Sequence, residues 1–199
     1  MRRVRYSVAM SLDGYIAGPN GEADWIVMDP EIGEGFADHW KQFDTLLIGR
    51  KTFAAMVKPG KKGGGGAMPG YKTVVFSRTL KPGDYPSVTI VSDDVKTAVT
   101  KLKEADGKDI WLFGGGELFR SLLDLGLVDT IEIGVIPVLL GGGIPLLPAP
   151  AGRATLTLVK QRAFAKTGTL ALEYAVNRPG SRGARKPQSR KRESLKRRS

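Results

Sequence analysis

Three short stretches of the chain combine residue types that can hold an anion. Gly49, Arg50, Lys51 and Thr52 put a glycine, two cations and a hydroxyl at consecutive positions. Ser77 and Arg78 repeat the pairing of hydroxyl and cation. Gly114, Gly115, Gly116 and Glu117 form a glycine turn that ends in a carboxylate. Glycine lets a ligand approach the backbone, and the unsatisfied N–H groups of a helix's first turn face whatever sits there. A helix terminus contributes about 0.3–1 kcal/mol to a bound anion and a charge-assisted hydrogen bond about 1.5–3 kcal/mol. The set together suffices for a cofactor with several phosphates. Taken singly, each stretch also reads as ordinary structure, Gly-Arg-Lys-Thr as a helix start and the glycine triplet as a tight strand-to-helix turn. Neither matches a Rossmann fingerprint or a P-loop, because Gly114 lacks the following G-x-x-G spacing and no Gly-Lys-Ser/Thr closes a glycine loop.

These residues must be placed by the elements around them. Val4–Met10, Thr45–Ile48, Thr73–Phe76, Thr89–Val91, Ile110–Phe113 and Thr130–Ile136 are apolar, β-prone runs. Between them, helical spacing runs from Asp29 and Pro30 through Ile32, Phe36, His39, Trp40 and Phe43, although Gly33 and Gly35 weaken it. It recurs from Phe53 to Val57, in Val95, Val99 and Leu102 after a cap at Ser92 or Asp93, and from Glu117 to Leu123 with an end near Gly126. Pro59–Gly70, with its run Gly63 to Gly66, and the apolar Pro137–Pro150 read as loops. Thr155–Arg162 and Thr169–Asn177 alternate around Thr167 and Gly168 as a hairpin. Strands alternating with helices predict an α/β fold with a mostly parallel central sheet flanked by helices and a C-terminal antiparallel hairpin. In such sheets ligands sit at the carboxyl ends of the strands, where this sequence places Asp13, Gly49, Ser77 and Gly114.

Composition narrows the classes. With 199 residues and 41% hydrophobic content one substantial core is expected. The absence of cysteine excludes disulfides and thiolate metal sites, and a lone histidine, His39, leaves little for a zinc site, so no metal is expected. No segment approaches about 18 uninterrupted apolar residues, and the N-terminus lacks a signal-peptide run, so a cytoplasmic protein with no membrane partner is expected. The net charge of +11 is concentrated: Arg178–Ser199 carries ten Lys or Arg against Glu193 alone. Residues 1–177 are therefore the expected folded domain and 178–199 a basic, disordered tail.

Taken in order, S-L-D-G-Y-I-A, L-I-G-R-K-T, M-P-G-Y-K-T-V-V-F-S-R and L-F-G-G-G-E-L-F resemble the dihydrofolate reductase superfamily, which also holds the reductase domain of riboflavin biosynthesis. The resemblance runs from about Val4 to Val176. It implies NADPH, with Arg50 and Arg78 near the adenosine and its 2′-phosphate, Lys51 and Thr52 on the phosphates, and Ser77 beside the adenine ribose. Gly49 would open the phosphate turn, and Gly114, Gly115, Gly116 and Glu117 would border the pyrophosphate and nicotinamide end, with a cis peptide between Gly114 and Gly115. The loop after the first strand would cover the nicotinamide, with Asp13, Trp25 and Met28 toward the substrate. Asp29 lies near the position of the pterin-orienting carboxylate of dihydrofolate reductases. Each has a plainer role too: Asp13 capping its own Asp-Gly turn, Trp25 in the core, Asp29 starting a helix before Pro30.

The sequence departs from both reference activities. Where folate reductases carry an arginine after the Pro-Gly pair, this chain has Tyr71. Where riboflavin reductases carry a lysine on the first strand it has Ser7, and a second expected carboxylate falls on Val57. The resemblance therefore implies hydride transfer from NADPH to a C=N or C=O carbon of a pterin-, pyrimidine- or similar heterocyclic substrate, of the riboflavin-type branch, with the proton from water or Asp13. Dihydrofolate reduction is the alternative within the family. A nucleic-acid or polyanion binder acting through the tail, and a pure NADPH sensor, are alternatives outside it. A homodimer joined through Ile131–Leu147 and the hairpin is also expected.

Overall fold

The computed structural model describes residues 1–27, 30–57 and 67–178. Met28, Asp29, the Gly63 to Gly66 run and the tail beyond Arg178 lie outside the described residues. Strand β1 (Val4–Ser11) leads through a turn into the short β2 (Tyr15–Ala17), then α1 (Pro30–Trp40), β3 (Phe43–Gly49) and α2 (Arg50–Met56). There follow β4 (Lys72–Phe76), β5 (Thr89–Val91), α3 (Val95–Glu104), β6 (Asp109–Gly114), α4 (Gly116–Asp124) and β7 (Thr130–Ile136). The chain closes with β8 (Ile144–Pro145), β9 (Leu156–Phe164) and β10 (Thr169–Val176).

Eight strands form one sheet in the order β5-β4-β3-β6-β1-β7-β10-β9. The first six pair in parallel, and β10 and β9 add antiparallel at one side. This is the α/β sheet with a C-terminal hairpin expected from the sequence. The parallel pairing of β4, β3, β6 and β1 carries their carboxyl ends, and with them Ser77, Gly49, Gly114 and Asp13, to a common edge.

Alternation along the strands sorts the side chains to two faces. On one, Val4 and Tyr6 of β1 join Ile110 and Leu112 of β6 beneath Phe119 and Leu122 of α4 and Val99 of α3, with the rings of Tyr6 and Phe119 stacked 3.9 Å apart. On the other, Phe43, Leu46 and Trp111 lie under α1, and Ile48 and Val75 under Phe53 of α2. Three local expectations are corrected. Phe43 opens β3 instead of ending α1, because α1 stops at Trp40 and Phe43 packs against Trp111 at 5.8 Å. The cap of α3 is Asp94, whose carboxylate accepts from Thr97 N at 3.0 Å, and not Ser92 or Asp93. The segment from 137 to 150 is more than a loop: its Ile144 and Pro145 pair with Ala17 and Tyr15 in a second, two-stranded sheet.

Candidate active site

Two glycine turns meet at the carboxyl edge of the sheet. A Cβ on Gly49 would stand 3.6 Å from Gly114 O and 3.7 Å from Gly115 N, and one on Gly115 would stand 3.1 Å from Thr52 Oγ1. The two turns are therefore in direct contact. The Gly114–Gly115 peptide is cis. Gly115 caps α4 and Gly49 caps α2, and having no side chain neither cap residue can itself bond the first N–H groups of its helix. Lys51 and Glu117, one from each turn, pair across the opening at 3.1 Å. Arg50 and Arg78 are exposed at the same edge, and neither side chain has a hydrogen bond or ion pair among the described residues. Ser77 is buried, and its hydroxyl accepts from Thr79 N at 3.2 Å and Leu80 N at 3.0 Å, which shapes the turn that presents Arg78.

The opposite wall is the segment from 138 to 148. Its approach to α4 leaves no space at Gly116, where a Cβ would lie 2.8 Å from Pro145 O and 3.0 Å from Pro148 Cδ. Backbone hydrogen bonds join it to the loop after β1, from Leu12 N to Val138 O and from Leu146 N to Gly14 O, each 2.9 Å. Asp13 adds a side-chain link, accepting from Gly141 N at 2.7 Å and Leu140 N at 3.1 Å, and from the Ser11 hydroxyl at 2.6 Å. The Ser11 bond first, then those backbone groups, hold the Asp13 carboxyl below the usual carboxylate range. Asp13 is thus an acceptor locking two loops together. Trp25 is half-buried with its indole N–H on Glu22 O at 3.1 Å. Tyr71 donates its hydroxyl to Trp40 O at 3.0 Å and sets its ring edge-on to Trp111. It ties the end of α1 to the aromatic cluster over β6, and burial pushes its phenol up.

Sequence reasoning missed a buried polar cluster on the α1 face. Arg5 Nε donates to Glu132 Oε1 at 2.5 Å, and Arg5 Nη1 reaches Gln42 Oε1 at 2.7 Å and Asp109 Oδ2 at 3.2 Å. His39 Nε2 stands 3.2 Å from Ser7 Oγ and 3.0 Å from Glu132 Oε2, the latter an ion-pair contact. Burial pushes the Glu132 carboxyl up, but the bonds and charges of His39 and Arg5 outweigh it and leave the group below its ordinary range. The signal was present as charges inside apolar strands, Arg5 in V-R-Y-S-V and Glu132 in T-I-E-I-G-V, with Ser7 and Glu132 in register across β1 and β7.

The RibD C-terminal domain family matches residues 2–170 of the chain. The Bacillus subtilis (strain 168) protein YyaP is 38% identical over 184 residues, which cover 88% of this chain and 96% of YyaP. The Thermotoga maritima diaminohydroxyphosphoribosylaminopyrimidine deaminase/5-amino-6-(5-phosphoribosylamino)uracil reductase superposes with a TM-score of 0.64 at 17% identity, over 88% of this chain and 57% of that one. Dihydrofolate reductase from Enterococcus faecalis, solved with NADP(H), gives 0.62 at 16% identity, over 88% and 97%. At such identities these two structures speak for the fold. Among the described residues no helix is long and apolar enough to cross a membrane.

Proposed function

The chain belongs to the RibD C-terminal domain family, and from that membership we propose that it is an NADPH-dependent reductase of the riboflavin-type branch. The reaction is hydride transfer to a C=N or C=O carbon of a pterin-, pyrimidine- or related heterocycle. The observation that carries this reading is the contact of the Gly49 and Gly115 turns, where two helix starts meet beside the Thr52 hydroxyl with Lys51 on the rim. When bound, the dihydronicotinamide supplies the hydride. Arg50 and Arg78 meet the 2′-phosphate end, Lys51 and Thr52 the other phosphates, and Ser77 fixes the turn that aims Arg78. Gly114, Gly115, Gly116 and Glu117 line the pyrophosphate and nicotinamide end. The loop from Ser11, carrying Trp25 and then Met28 and Asp29, covers the substrate and excludes water, with Tyr71 on the far side.

Of the two proton sources, water is preferred, because an Asp13 carboxylate that accepts three hydrogen bonds and has lowered proton affinity is a poor acid near neutral pH. Dihydrofolate reduction is disfavoured by Tyr71, whose hydroxyl is engaged with Trp40 O and offers no cation to a glutamate tail. Arg50→Ala and Arg78→Ala test the cofactor assignment. Each is expected to weaken NADPH at least about tenfold while leaving NADH within about twofold, since each removes one charge-assisted contact to the 2′-phosphate. Fluorescence titration with both nucleotides measures it, and equal losses for the two would refute the assignment.

The working unit on this reading is residues 1–177 with an appended basic tail, and it is a homodimer. Support for the dimer comes from β9, an edge strand with Leu156, Leu158 and Val159 exposed. Light scattering is expected to give twice the chain mass, and Val159→Lys to give the single chain mass.

A further inference from the structure

The basic C-terminal stretch plays no part in the reductase reading. From Arg178 to Ser199 the sequence holds seven Arg and three Lys against Glu193 alone, whereas residues 1–177 hold eight Arg and thirteen Lys against nineteen acids. The body is close to neutral and favours lysine, while the tail is strongly basic and favours arginine. That contrast is chemical, because a guanidinium fork donates two parallel bonds to a phosphate where an ammonium acts as a point charge.

The fold determines where this charge begins. β10 runs antiparallel to β7 with Ala175 opposite Thr130, and Thr130 in turn pairs with Arg5 near the start of β1. The chain therefore leaves the sheet at the amino ends of the parallel strands, on the edge opposite the glycine cleft. Its root is fixed there: Val176 N donates to Asp129 O and Asn177 N to Thr155 O, each at 3.0 Å, and Arg178 pairs with Asp129 at 3.2 Å. Folded cations along that edge are matched by acids, Arg2 by Asp44, Arg3 by Asp109, Lys41 by Asp38 and Lys103 by Asp129. The sequence that follows Arg178 adds nine cations against one acid.

Residue types in the tail narrow the partner. It has no aromatic residue to stack on bases, which disfavours recognition of a single strand. Its apolar residues are Leu195, Ala184 and two prolines, too few for the apolar face of a helix lying in a membrane surface. What remains is phosphate, and a duplex presents it at about one charge per 1.7 Å of axis. An extended acidic peptide presents at most about one charge per 3.3 Å. We propose that residues 178–199 are an arm for duplex nucleic acid, indifferent to base sequence and rooted away from the cleft, so that duplex binding leaves the cleft open.

The probe is a labelled duplex of about 20 base pairs, roughly 70 Å long and so matched to the reach of the extended tail. It is titrated with the full chain by fluorescence anisotropy, as DNA and as RNA of the same sequence. If half of the ten cations engage phosphates, log K falls against log salt with a slope of about −4.5, which is a loss of about 500-fold between 50 and 200 mM. Wild type is expected to reach that slope on DNA, to bind a scrambled sequence equally, and to hold the RNA duplex within about tenfold. The combined variant Arg190→Gln, Lys191→Gln, Arg192→Gln, Lys196→Gln, Arg197→Gln and Arg198→Gln should weaken the duplex at least about fiftyfold. Its melting temperature should match that of wild type. Lys72→Gln, an exposed charge at the start of β4, should change duplex affinity less than about twofold, and saturating NADPH should not displace the duplex. A salt slope shallower than about −2, or a combined variant that binds like wild type, overturns the proposal. Displacement by NADPH, which would put the duplex in the cleft, overturns it too, as does equal or tighter binding of polyglutamate or of phosphatidylserine vesicles.

Discussion

Glu132→Ala is expected to cost the fold about 3 kcal/mol, visible as a drop in the urea midpoint without a change in slope. Removing one partner of a buried pair typically costs about 3–5 kcal/mol because the remaining charge is stranded. Here the lower end applies, since Arg5 keeps Asp109 at 3.2 Å and Gln42 at 2.7 Å. The pair itself need not add net stability, so the double variant Arg5→Met with Glu132→Leu should recover most of the loss. The effect also has a pH signature. In the folded protein the carboxyls of Glu132 and Asp109 are both held below their ordinary values, in each case against burial, by His39 and Arg5 for the first and by Arg3 and Arg5 for the second. A depressed folded pKa contributes stability that is complete above the unfolded pKa, about 4 for these groups, and is lost as pH falls through the folded value. Wild type should therefore hold a flat midpoint from pH 8 to about 5 and lose stability below it. Glu132→Ala, which removes one of the two groups, should show a shallower fall. A parallel pH dependence in the two proteins would contradict the role given to Glu132.

Gly143→Ala is expected to cost between about 2 and 6 kcal/mol. Its φ is +145°, where a side chain is strained by about 1–3 kcal/mol, and its Cβ would fall 2.2 Å from Ala17 O. That atom belongs to β2 and cannot swing aside, so the overpacking adds about 1–3 kcal/mol and pushes β8 off β2. At about 2–4 °C per kcal/mol for a chain of this size, calorimetry should read a clear loss. Gly142→Ala is the control, since a Cβ there meets nothing within 4 Å and φ is not positive. It should melt within about a degree of wild type. Because the β2–β8 pair holds the segment that walls the glycine cleft, Gly143→Ala should also weaken NADPH.

The large features were legible because they are periodic. Apolar runs separated by helical spacing gave the sheet, and Thr167–Gly168 gave the hairpin. The glycine turns at Gly49 and Gly114 stood out by type and spacing, and the structure brings them into contact. What was not legible depends on tertiary partners. Pairing of Ile144 with Ala17 takes only a few residues on each side, too short for a pattern, and an Asp-Pro-Glu start gave no reason to stop α1 before Phe43. Arg5 and Glu132 looked like stray charges in strands, because the partner that neutralises each lies more than a hundred positions away. The role of Asp13 was also ambiguous from sequence, since the Leu140–Gly141 amides it accepts from are equally distant.

The central place of β1 in the sheet bears on synthesis. Val4 pairs with Ile110 and Tyr6 with Ile131, so β1 is made more than a hundred residues before either of its neighbours. At about 5–20 residues per second, its apolar side chains wait roughly 5–25 s after translation before both flanking strands exist. Nascent chains that end before β7 leave one edge of β1 unpaired, and any chaperone that shields this protein during translation must cover Val4–Ser11.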